Sequence, residues 1–391
     1  MGEVVERITR KNENLESTLP LTISAQYGLI NQNEFFDKRI ASKDVSGYFL
    51  VRNGEFAYNK STSSDAPWGA IKRLDRYESG VLSTLYIVFK ISDERKTSSD
   101  YIVTYYNTDL WHKGIQAIAA EGARNHGLLN VAPADFFETN LTMPKDYAEQ
   151  QQIGSFFQQL DHLITLHQRK YDKLQVLKKA MLEKMFPKNG SSVPEIRFKG
   201  FTDAWEQRKL GEVVKEVTRN NPTSEAPIMM ITANNGFIEQ SERYAFDNAG
   251  ESLKKYILLQ KGELAYNHGA SKLRPFGSCF ALTTAESARI PFVYHCFFAE
   301  NQNAEFLSIE LNGSEVESQL RKIVSSGARM DGLLNISFDE YSTVTVLLPD
   351  IKEQEHITDF FRNLDHLITL HQRELEKLQN IKKSMLEKMF V

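Results

Sequence analysis

Few residue patterns in this chain could support covalent or metal chemistry. Pro349-Asp350-Ile351-Lys352 has the order of some nuclease carboxylates, but the matching place in the first half of the chain is Pro144-Lys145-Asp146-Tyr147. A junction between a strand and a helix is therefore the better interpretation. Asn221-Pro222-Thr223 lacks the second proline and the aromatic residue of an adenine methyltransferase motif and indicates a turn. No GxxxxGK[ST] loop, no GxGxxG after a strand and no ligand-spaced His/Glu cluster is present. The sequence predicts no catalytic site, no metal and no cofactor.

Cysteine content and composition limit the class of protein. Cys279 and Cys296 are too far apart for a CxxC pair and have no second pair, so we expect both to be small core residues. Hydrophobic residues make up 41% and charged residues 25%, as in ordinary folded proteins. There is no long apolar run, and the first residues do not resemble a signal peptide. We therefore expect a soluble cytoplasmic protein.

The sequence contains one long segment twice, with a period of about 205 residues. Matching segments occur in the globular parts and in the last part of each copy. The pairs are Gly2–Asn12 with Gly211–Asn221, Asn53–Asn59 with Lys261–Asn267, Leu160–Arg169 with Leu364–Arg373, and Met181–Phe186 with Met385–Phe390. This period is far longer than that of stacked repeats, which have roughly 20–50 residues. Each copy is therefore predicted to be a domain followed by a long helix.

The first part of each copy has mixed signals. Val81–Ile91 and Ile290–Phe298 are rich in β-branched and aromatic residues and predict strands. Helical spacing follows in both copies, and a short alternating strand ends the globular part at Tyr341–Leu348. We therefore predict an α+β fold for each globular part.

The last part of each copy has apolar residues at intervals of seven, which predicts a coiled-coil helix. The heptad positions are Ile153, Leu160, His167, Leu174 and Met181, and then Ile357, Leu364, His371, Leu378 and Met385. Further apolar positions are Phe156, Phe157, Leu163, Ile164, Leu177, Phe360, Phe361, Leu367, Ile368 and Leu375. His167 and His371 lie near the middle of their helices. Antiparallel pairing would bring them together, where a polar residue fixes the helix register.

These patterns divide the chain into four segments: 1–146, 147–187, 188–348 and 349–391. Pro187–Pro194, with its prolines, glycine and serines, is a linker between the copies. The two helices are expected to pair with each other as an antiparallel coiled coil with pseudo-twofold symmetry. The alternative is that each helix packs on its own domain.

Three segments together resemble the specificity subunits of Type I restriction-modification systems. They are Ile196–Glu212 (IRFKGFTDAWEQRKLGE), Ser325–Asn335 (SSGARMDGLLN) and Pro349–Ile357 (PDIKEQEHI). The resemblance covers nearly the whole chain, although the first copy has no counterpart of the lead-in segment at 194–210. It implies two target-recognition domains, at 1–146 and 188–348, separated by two spacer helices. It also implies double-stranded DNA, two DNA-methyltransferase (modification) subunits and ATP-dependent restriction subunits as partners.

For such a protein, contacts to DNA are expected from polar and basic residues on loops at matching places in the two copies. After the shared Ala-Tyr-Asn segment the two copies differ in sequence, and a second loop in each copy lies between glycines. The candidates are Lys60, Ser61, Ser63, Arg124 and Asn125 in the first copy and His268, Ser271, Lys272, Arg274 and Arg329 in the second. Arg124 and Arg329 could equally be internal ion-pair partners. Tyr58 and Tyr266 are expected in the core.

The net charge of −4 bears on this function, because a protein that binds DNA unaided usually carries a positive excess. A partner is therefore expected to supply part of the DNA affinity, and catalysis is expected to belong to partners as well. Two other functions remain open. One is a stand-alone methyltransferase or nuclease, against which the missing motifs argue. The other is a coiled-coil scaffold or adaptor without DNA specificity.

Overall fold

A computed structural model describes residues 1–24, 27–38, 40–64, 66–119, 127–233, 235–243, 250–324 and 333–390. The chain divides into two compact units. Unit 1 consists of Met1–Arg169 and Gln372–Val391, and unit 2 consists of Lys170–His371. Each unit thus contains a globular region and parts of both long helices. The four segments predicted from the sequence follow the order along the chain, and their bounds stay a prediction. In the described part of the chain, no helix is both long and apolar enough to cross a membrane.

Unit 1 is built around an antiparallel sheet with strand order β1-β8-β5-β6. Two further antiparallel pairs, β2 with β3 and β4 with β7, form separate two-stranded sheets. The strands are β1 (Val5–Ile8), β2 (Leu21–Ser24), β3 (Gly28–Asn31), β4 (Phe49–Arg52), β5 (Phe56–Asn59), β6 (Ala70–Arg73), β7 (Ser79–Leu82) and β8 (Ile87–Ile91). The helices are α1 (Gln32–Phe36), α2 (Ser99–Tyr105), α3 (His112–Ile118), α4 (Pro133–Glu138) and the beginning of the long helix α5 (Tyr147–Lys184).

Unit 2 repeats this topology. Its sheet has the order β10-β17-β14-β15, and the pairs β11 with β12 and β13 with β16 correspond to the two additional pairs of unit 1. The strands are β9 (Glu206–Lys209), β10 (Val214–Glu216), β11 (Met229–Thr232), β12 (Gly236–Glu239), β13 (Ile257–Gln260), β14 (Leu264–Asn267), β15 (Ser278–Ala281), β16 (Ser287–Ile290), β17 (His295–Ala299) and β18 (Thr345–Leu348). The helices are α6 (Gln240–Arg243), α7 (Ala304–Leu311), α8 (Ser314–Ile323), α9 (Phe338–Tyr341) and the beginning of α10 (Ile351–Met389). The predicted α+β fold of each copy is confirmed.

The central sheet of unit 1 is covered on both faces. Side chains alternate between the two faces of a strand, so Phe56, Tyr58 and Phe89 join one hydrophobic cluster while Ala57 and Val88 join another. The first cluster includes side chains of α2, α3, α4 and α5. Strand β5, which is central in the sheet, is therefore held from both sides.

Unit 2 has the same division of its sheet. Tyr266 and Phe297 lie in the cluster that includes the helices, and Ala265 and Cys296 lie in the other. Both cysteines are free and buried. The prediction that Cys279 and Cys296 are small core residues is confirmed.

A buried glutamine attaches the first turn of each long helix to its own globular region. The side-chain oxygen of Gln150 accepts the backbone N–H of Ser98, which is the N-cap of α2, at 3.0 Å. Gln354 accepts the backbone N–H of Asn303, the N-cap of α7, at the same distance. The expected alternative, a helix that packs on its own domain, therefore applies to the first turns of both long helices.

In unit 1, the end of α10 packs antiparallel against the beginning of α5. The rings of Phe157 and Phe390 are 6.2 Å apart, and Nζ of Lys382 lies 2.5 Å from Oδ1 of Asp161. The partner residue number falls as the number along α5 rises, which defines the direction. Antiparallel pairing, as predicted, is therefore confirmed within this unit.

Unit 2 has the corresponding contacts. The rings of Phe186 and Phe361 are 6.2 Å apart, and Nζ of Lys178 lies 2.5 Å from Oδ1 of Asp365. Because Phe186 and Phe390 occupy matching places in the repeat, each globular region is completed by the end of the helix that follows the other copy. The pairing is antiparallel in this unit as well.

Several apolar positions of the heptad pattern remain exposed. Ile153 and Leu160 are buried, as are Ile357, Leu364, Ile368 and Leu375. The exposed positions are Phe156, Leu163, Leu177 and Leu367. Their expected place in the seam was wrong, because two paired helices cover only one narrow face of each other.

Each of the two stretches that the sequence predicted as a strand contains parts of two separate strands. Val81–Ile91 contains the end of β7, a turn in which the N–H of Tyr86 donates to the carbonyl of Ser83 at 3.1 Å, and β8. Ile290–Phe298 contains the end of β16, a turn in which Tyr294 donates to Pro291 at 3.0 Å, and β17. Composition does not distinguish one long strand from two short strands joined by an apolar turn.

The lead-in segment at 194–210 forms part of unit 2. Its strand β9 pairs antiparallel with β18, and Trp205 is buried against Phe186 and Phe306. Arg197 donates two hydrogen bonds of 2.7 Å to the carboxylate of Glu353 in the first turn of α10. This segment therefore connects the linker, the core and the second long helix.

Candidate nucleic-acid interface

The loop after the central strand has the same frame in both units. It comprises residues 60–69 after β5 and residues 268–277 after β14. Oδ1 of Asn59 accepts the N–H of Ser61 at 3.0 Å, and Oδ1 of Asn267 accepts the N–H of Gly269 at 2.9 Å. An asparagine that bonds the backbone two residues further on forms a tight turn, so each loop leaves its strand in the same way.

The far end of each loop is held by a buried tyrosine. The hydroxyl of Tyr58 donates to the carbonyl of Trp68 at 2.9 Å, and that of Tyr266 donates to the carbonyl of Phe276 at 2.7 Å. Burial raises the pKa of both tyrosines, so the hydroxyls keep their protons and remain donors. The expectation that Tyr58 and Tyr266 are core residues is confirmed.

A glycine with a left-handed backbone closes each loop. Gly69 has φ +81° and Gly277 has φ +80°. A Cβ at Gly69 would lie 2.2 Å from the carbonyl oxygen of Asn59, and one at Gly277 would lie 2.6 Å from that of Asn267. Only glycine fits, because any side chain would overlap the end of the central strand.

Each loop lies beside a second segment that is remote in sequence. In unit 1 the N–H of Leu129 donates to the carbonyl of Lys60 at 2.9 Å, and the N–H of Thr62 donates to that of Gly127 at 2.8 Å. In unit 2 the N–H of Leu334 donates to the carbonyl of His268 at 2.9 Å. We call residues 60–69 with 127–131, and residues 268–277 with 333–336, the loop pair of each unit.

The structure therefore brings the two predicted loops of each copy together at their described ends. Arg124, Asn125 and Arg329, three of the predicted contact residues, lie outside the described residues. The segments that follow them, beginning at Gly127 and at Leu333, belong to the loop pairs. Nothing in the sequence predicted that the two loops adjoin.

Four of the predicted residues are exposed on the loop pairs. Ser61 and Ser63 are exposed in unit 1, and Ser271 and Lys272 are exposed in unit 2. Lys60 is half-buried, and its Nζ donates to the carbonyl of Val131 at 3.3 Å. The exposed hydroxyls and the ammonium group are donors that could contact base edges or phosphates.

His268 does not have the exposed position that the sequence suggested. Only 5% of its surface is exposed. Its Nδ1 lies 2.8 Å from the carbonyl oxygen of Leu334, and its Nε2 lies 2.6 Å from that of Val293. Both ring nitrogens are therefore engaged with the backbone, and the buried ring is not placed for the direct DNA contact that the sequence suggested.

Arg274 is also directed mainly inward. Its Nη1 donates to the carbonyl of Asn312 at 2.8 Å, and its backbone N–H donates to the hydroxyl of Ser271 at 3.0 Å. Burial lowers the pKa of Arg274, and the charge of Glu317 partly opposes this effect. The guanidinium group holds the end of α7 in place rather than extending into solvent.

Two kinds of loop residue were not predicted from the sequence. Leu273 is 61% exposed beside Lys272 and could contact a thymine methyl group. Asn59 and Asn267 set the turns, and their identity in the two copies was the available signal. The described residues include no group of three or more His, Cys, Asp or Glu that could hold a metal ion.

His167 and His371 lie in different units, within α5 and α10, and both are half-buried. Their predicted role in fixing the register of the helices stays a prediction.

Comparisons with known proteins bear on the fold of this chain. No protein-family model matches the chain, and no curated protein matches it. The crystal structure of the Type I restriction-modification S subunit from M. genitalium matches 99% of this chain and 94% of that chain, with 12% identity and a TM-score of 0.57. The HsdS subunit from Thermoanaerobacter tengcongensis matches 99% and 94%, with 16% identity and a TM-score of 0.41.

A chain from a structure on complex assembly and conformational transition of the type I R-M system matches 100% of this chain and 96% of that chain, with 15% identity and a TM-score of 0.43. Of these three, the M. genitalium subunit supports an argument about fold, and the match covers nearly all of both chains. This chain has the fold of a Type I restriction-modification S subunit.

Proposed function

We propose that this chain is the DNA-specificity subunit of a Type I restriction-modification complex. It recognises an asymmetric site in two parts, one part with each unit, and directs methyltransferase subunits and ATP-dependent restriction subunits to that site. The observation that carries the proposal is the pair of matching loop frames with different exposed residues. The shared fold with an S subunit supports it.

The loop pairs combine a constant frame with variable contacts. The asparagine turn, the tyrosine clamp and the closing glycine are the same in both units. The exposed donors differ, since Ser61 and Ser63 in unit 1 are replaced by Ser271, Lys272 and the apolar Leu273 in unit 2. Each base pair presents a distinct pattern of donors, acceptors and methyl groups in the major groove. Two equal frames with different side chains are suited to two different half-sites.

The charge distribution supports a function within a complex. The chain carries a net charge of −4, and several lysines of the long helices are paired, such as Lys178 with Asp365 and Lys382 with Asp161. DNA affinity depends on cations that displace counterions from phosphates. Methyltransferase subunits would supply most of these cations, and the adenine methylation would be theirs as well.

Mapping of N6-methyladenine in host DNA tests this proposal. We expect a methylated DNA motif in two parts that disappears when the gene is deleted. Exchange of residues 188–348 for the same region of a related subunit should change one half of the motif and leave the other half and the gap unchanged. The matched control exchanges residues 1–146 and should change the opposite half. A methylation pattern that is the same without the gene would favour a scaffold without DNA specificity.

A further inference from the structure

Unit 2 contains a cavity of about 360 Å³ that is lined by α7, the start of α8, β15 and parts of both long helices. Its walls are partly apolar and include Phe280, Ile309 and Phe361. The side chains of Arg362 and Asp365, which also line it, are 54% and 52% exposed, so the cavity opens to solvent. A single water needs roughly 10–15 Å³ of such space. A small organic molecule therefore fits.

A buried carboxyl group lines this cavity. Glu310 in the last turn of α7 is only 7% exposed, and its Oε1 accepts the backbone N–H of Leu347 at 3.0 Å. No second hydrogen bond reaches this carboxyl group from the residues that the structure describes. A buried carboxylate is costly unless a cation or further donors compensate it. Glu310 therefore offers a free acceptor to a molecule in the cavity.

The corresponding place in unit 1 contains an ammonium group. Lys72 has the same register in β6 that Phe280 has in β15. Its Nζ donates to Oδ1 of Asn107 at 2.8 Å. Asn107 lies nine residues after the N-cap of α2, and Asn312, which lines the cavity, lies nine residues after the N-cap of α7. The ammonium group of unit 1 therefore lies where unit 2 has its cavity.

The ion pair beside this ammonium group is the same in both units. The charges of Lys382 and Asp161 both act on Lys72, and the two residues pair with each other at 2.5 Å. Lys178 and Asp365, the corresponding pair of unit 2, line the cavity. Unit 1 thus shows that a further cation is accommodated beside such a pair, although the pair itself contains a lysine.

Two exchanges of side chain distinguish the units at this place. Phe280 replaces Lys72, and Glu310 replaces Tyr105, since both of the latter lie seven residues after the N-cap of their helices. The hydroxyl of Tyr105 forms a hydrogen bond with the backbone of Thr142. Unit 2 therefore lacks the cation of unit 1 and has an additional carboxyl group.

The remaining charged groups of the cavity do not compensate Glu310. Arg362 pairs with Glu305 at 2.7 Å, and Arg274 donates to the carbonyl of Asn312. Lys188 and Glu315 complete the charged lining. Among the described residues, the one charge that acts clearly on the carboxyl group of Glu310 is that of Glu315, which raises its pKa further. The cation that this carboxyl group lacks is therefore not supplied by the described part of the chain.

We propose that the cavity of unit 2 binds a small aliphatic amine, whose ammonium group pairs with Glu310 and whose alkyl chain packs against Phe280 and Phe361. The amine takes the place that the side chain of Lys72 has in unit 1. The inference goes beyond the proposed function and does not depend on it. The probe is n-butylamine, which is the side chain of lysine without its backbone.

The first arm of the test measures binding of n-butylamine to the full chain at pH 8 by the broadening of its NMR signals. Glu310→Gln should weaken binding about 10-fold or more, as for the loss of a charge-assisted hydrogen bond. n-Butanol, which has a similar shape without the charge, should also bind about 10-fold or more weakly than the amine. Equal binding of the amine to the wild type and to Glu310→Gln would overturn the proposal.

Glu315→Gln is the matched control, because it makes the same substitution at an exposed carboxylate of the cavity lining. The charge of Glu315 is screened by solvent, so this variant should change the affinity by less than about 3-fold. A loss as large as that of Glu310→Gln would show that general attraction by acidic residues binds the amine, and it would overturn the assignment of Glu310.

The second arm uses the pH in the wild type. An aliphatic amine stays charged up to about pH 10, whereas the pKa of Glu310 without a ligand is raised to about 7. Because the amine pairs with the ionised carboxylate, its affinity should fall about 10-fold from pH 8 to pH 6. Saturating amine should also lower the pKa of Glu310, followed by NMR of ¹³C-labelled glutamate. An affinity that is the same at both pH values would contradict the proposal.

Phe280→Lys gives unit 2 the ammonium group that unit 1 has in Lys72. This variant should no longer bind n-butylamine, because its own side chain pairs with Glu310. Binding at wild-type strength in the folded variant would place the amine elsewhere and overturn the inference. If this variant does not fold, the comparison of Glu310→Gln with Glu315→Gln decides the question. A wild-type chain that binds the amine no better than n-butanol would also overturn the inference, and it would leave the proposed function intact.

Discussion

The ion pair between Arg197 and Glu353 offers the sharpest test of the packing in unit 2. The two side chains share two hydrogen bonds of 2.7 Å, and their exposed fractions are 12% and 1%. The hydrogen bond to Glu353 is the main cause that raises the pKa of Arg197. Arg197→Met would leave the carboxylate of Glu353 buried without its partner. Removing one member of a buried pair costs about 3–5 kcal/mol.

The double variant separates the charge from the packing. Replacing both members of a buried pair by uncharged side chains of similar volume is often neutral or even stabilising. Arg197→Met combined with Glu353→Gln should therefore recover most of the loss seen with Arg197→Met alone. Glu149 occupies the matching place in the first turn of α5 and is exposed. Glu149→Gln is the control and should change the stability by less than about 0.5 kcal/mol.

Urea unfolding followed by tryptophan fluorescence measures this effect. Trp205 packs against Phe186 and Phe306 and therefore reports on unit 2. Trp68 and Trp111 of unit 1 are first replaced by Phe, so that Trp205 is the one tryptophan of the chain. With a urea dependence of roughly 2 kcal/mol per molar, the expected loss lowers the midpoint by about 1.5–2.5 M. A shift below about 0.5 M, or a double variant less stable than Arg197→Met, would show that the pair does not behave as a buried ion pair.

Three further predictions concern other parts of the molecule. Gly262→Ala should lower the free energy of unfolding by about 1 kcal/mol through its φ of +85° alone, since nothing lies within 4 Å of the new Cβ. Gly277→Ala should cost a further 1–3 kcal/mol or so, measured by urea unfolding, because its Cβ overlaps the carbonyl of Asn267. Burial raises the pKa of Glu310 from 4.5 to about 7, so the stability of unit 2 should fall as the pH rises between these values. Glu310→Gln should remove this fall and be more stable than the wild type at pH 8 by about 3 kcal/mol, and an unchanged pH dependence would contradict the assignment. The chain without partners should bind DNA with a dissociation constant above about 1 µM at physiological salt, and tight sequence-specific binding in a titration would refute this.

The sequence predicted the duplication, the α+β class and the antiparallel helices, because each depends on patterns that extend over many residues. It did not predict which single side chains are exposed. His268 and Arg274 are polar residues in a polar loop, and their side chains turn inward to carbonyls of Val293 and Asn312 that are distant in sequence. The split of Val81–Ile91 into two strands depends on a turn without glycine or proline. Local sequence composition does not predict such contacts.

The end of α10 completes the core of unit 1, where Phe390 packs against Tyr101 and Phe157. A ribosome makes residues 372–390 only after all of unit 2, so unit 1 is begun first but completed last. Unit 2 is continuous in sequence from Lys170 to His371 and can fold as soon as it leaves the ribosome. The apolar surface of unit 1 that Phe390 covers stays exposed until residues 372–390 have left the ribosome, and during this interval it is available to chaperones.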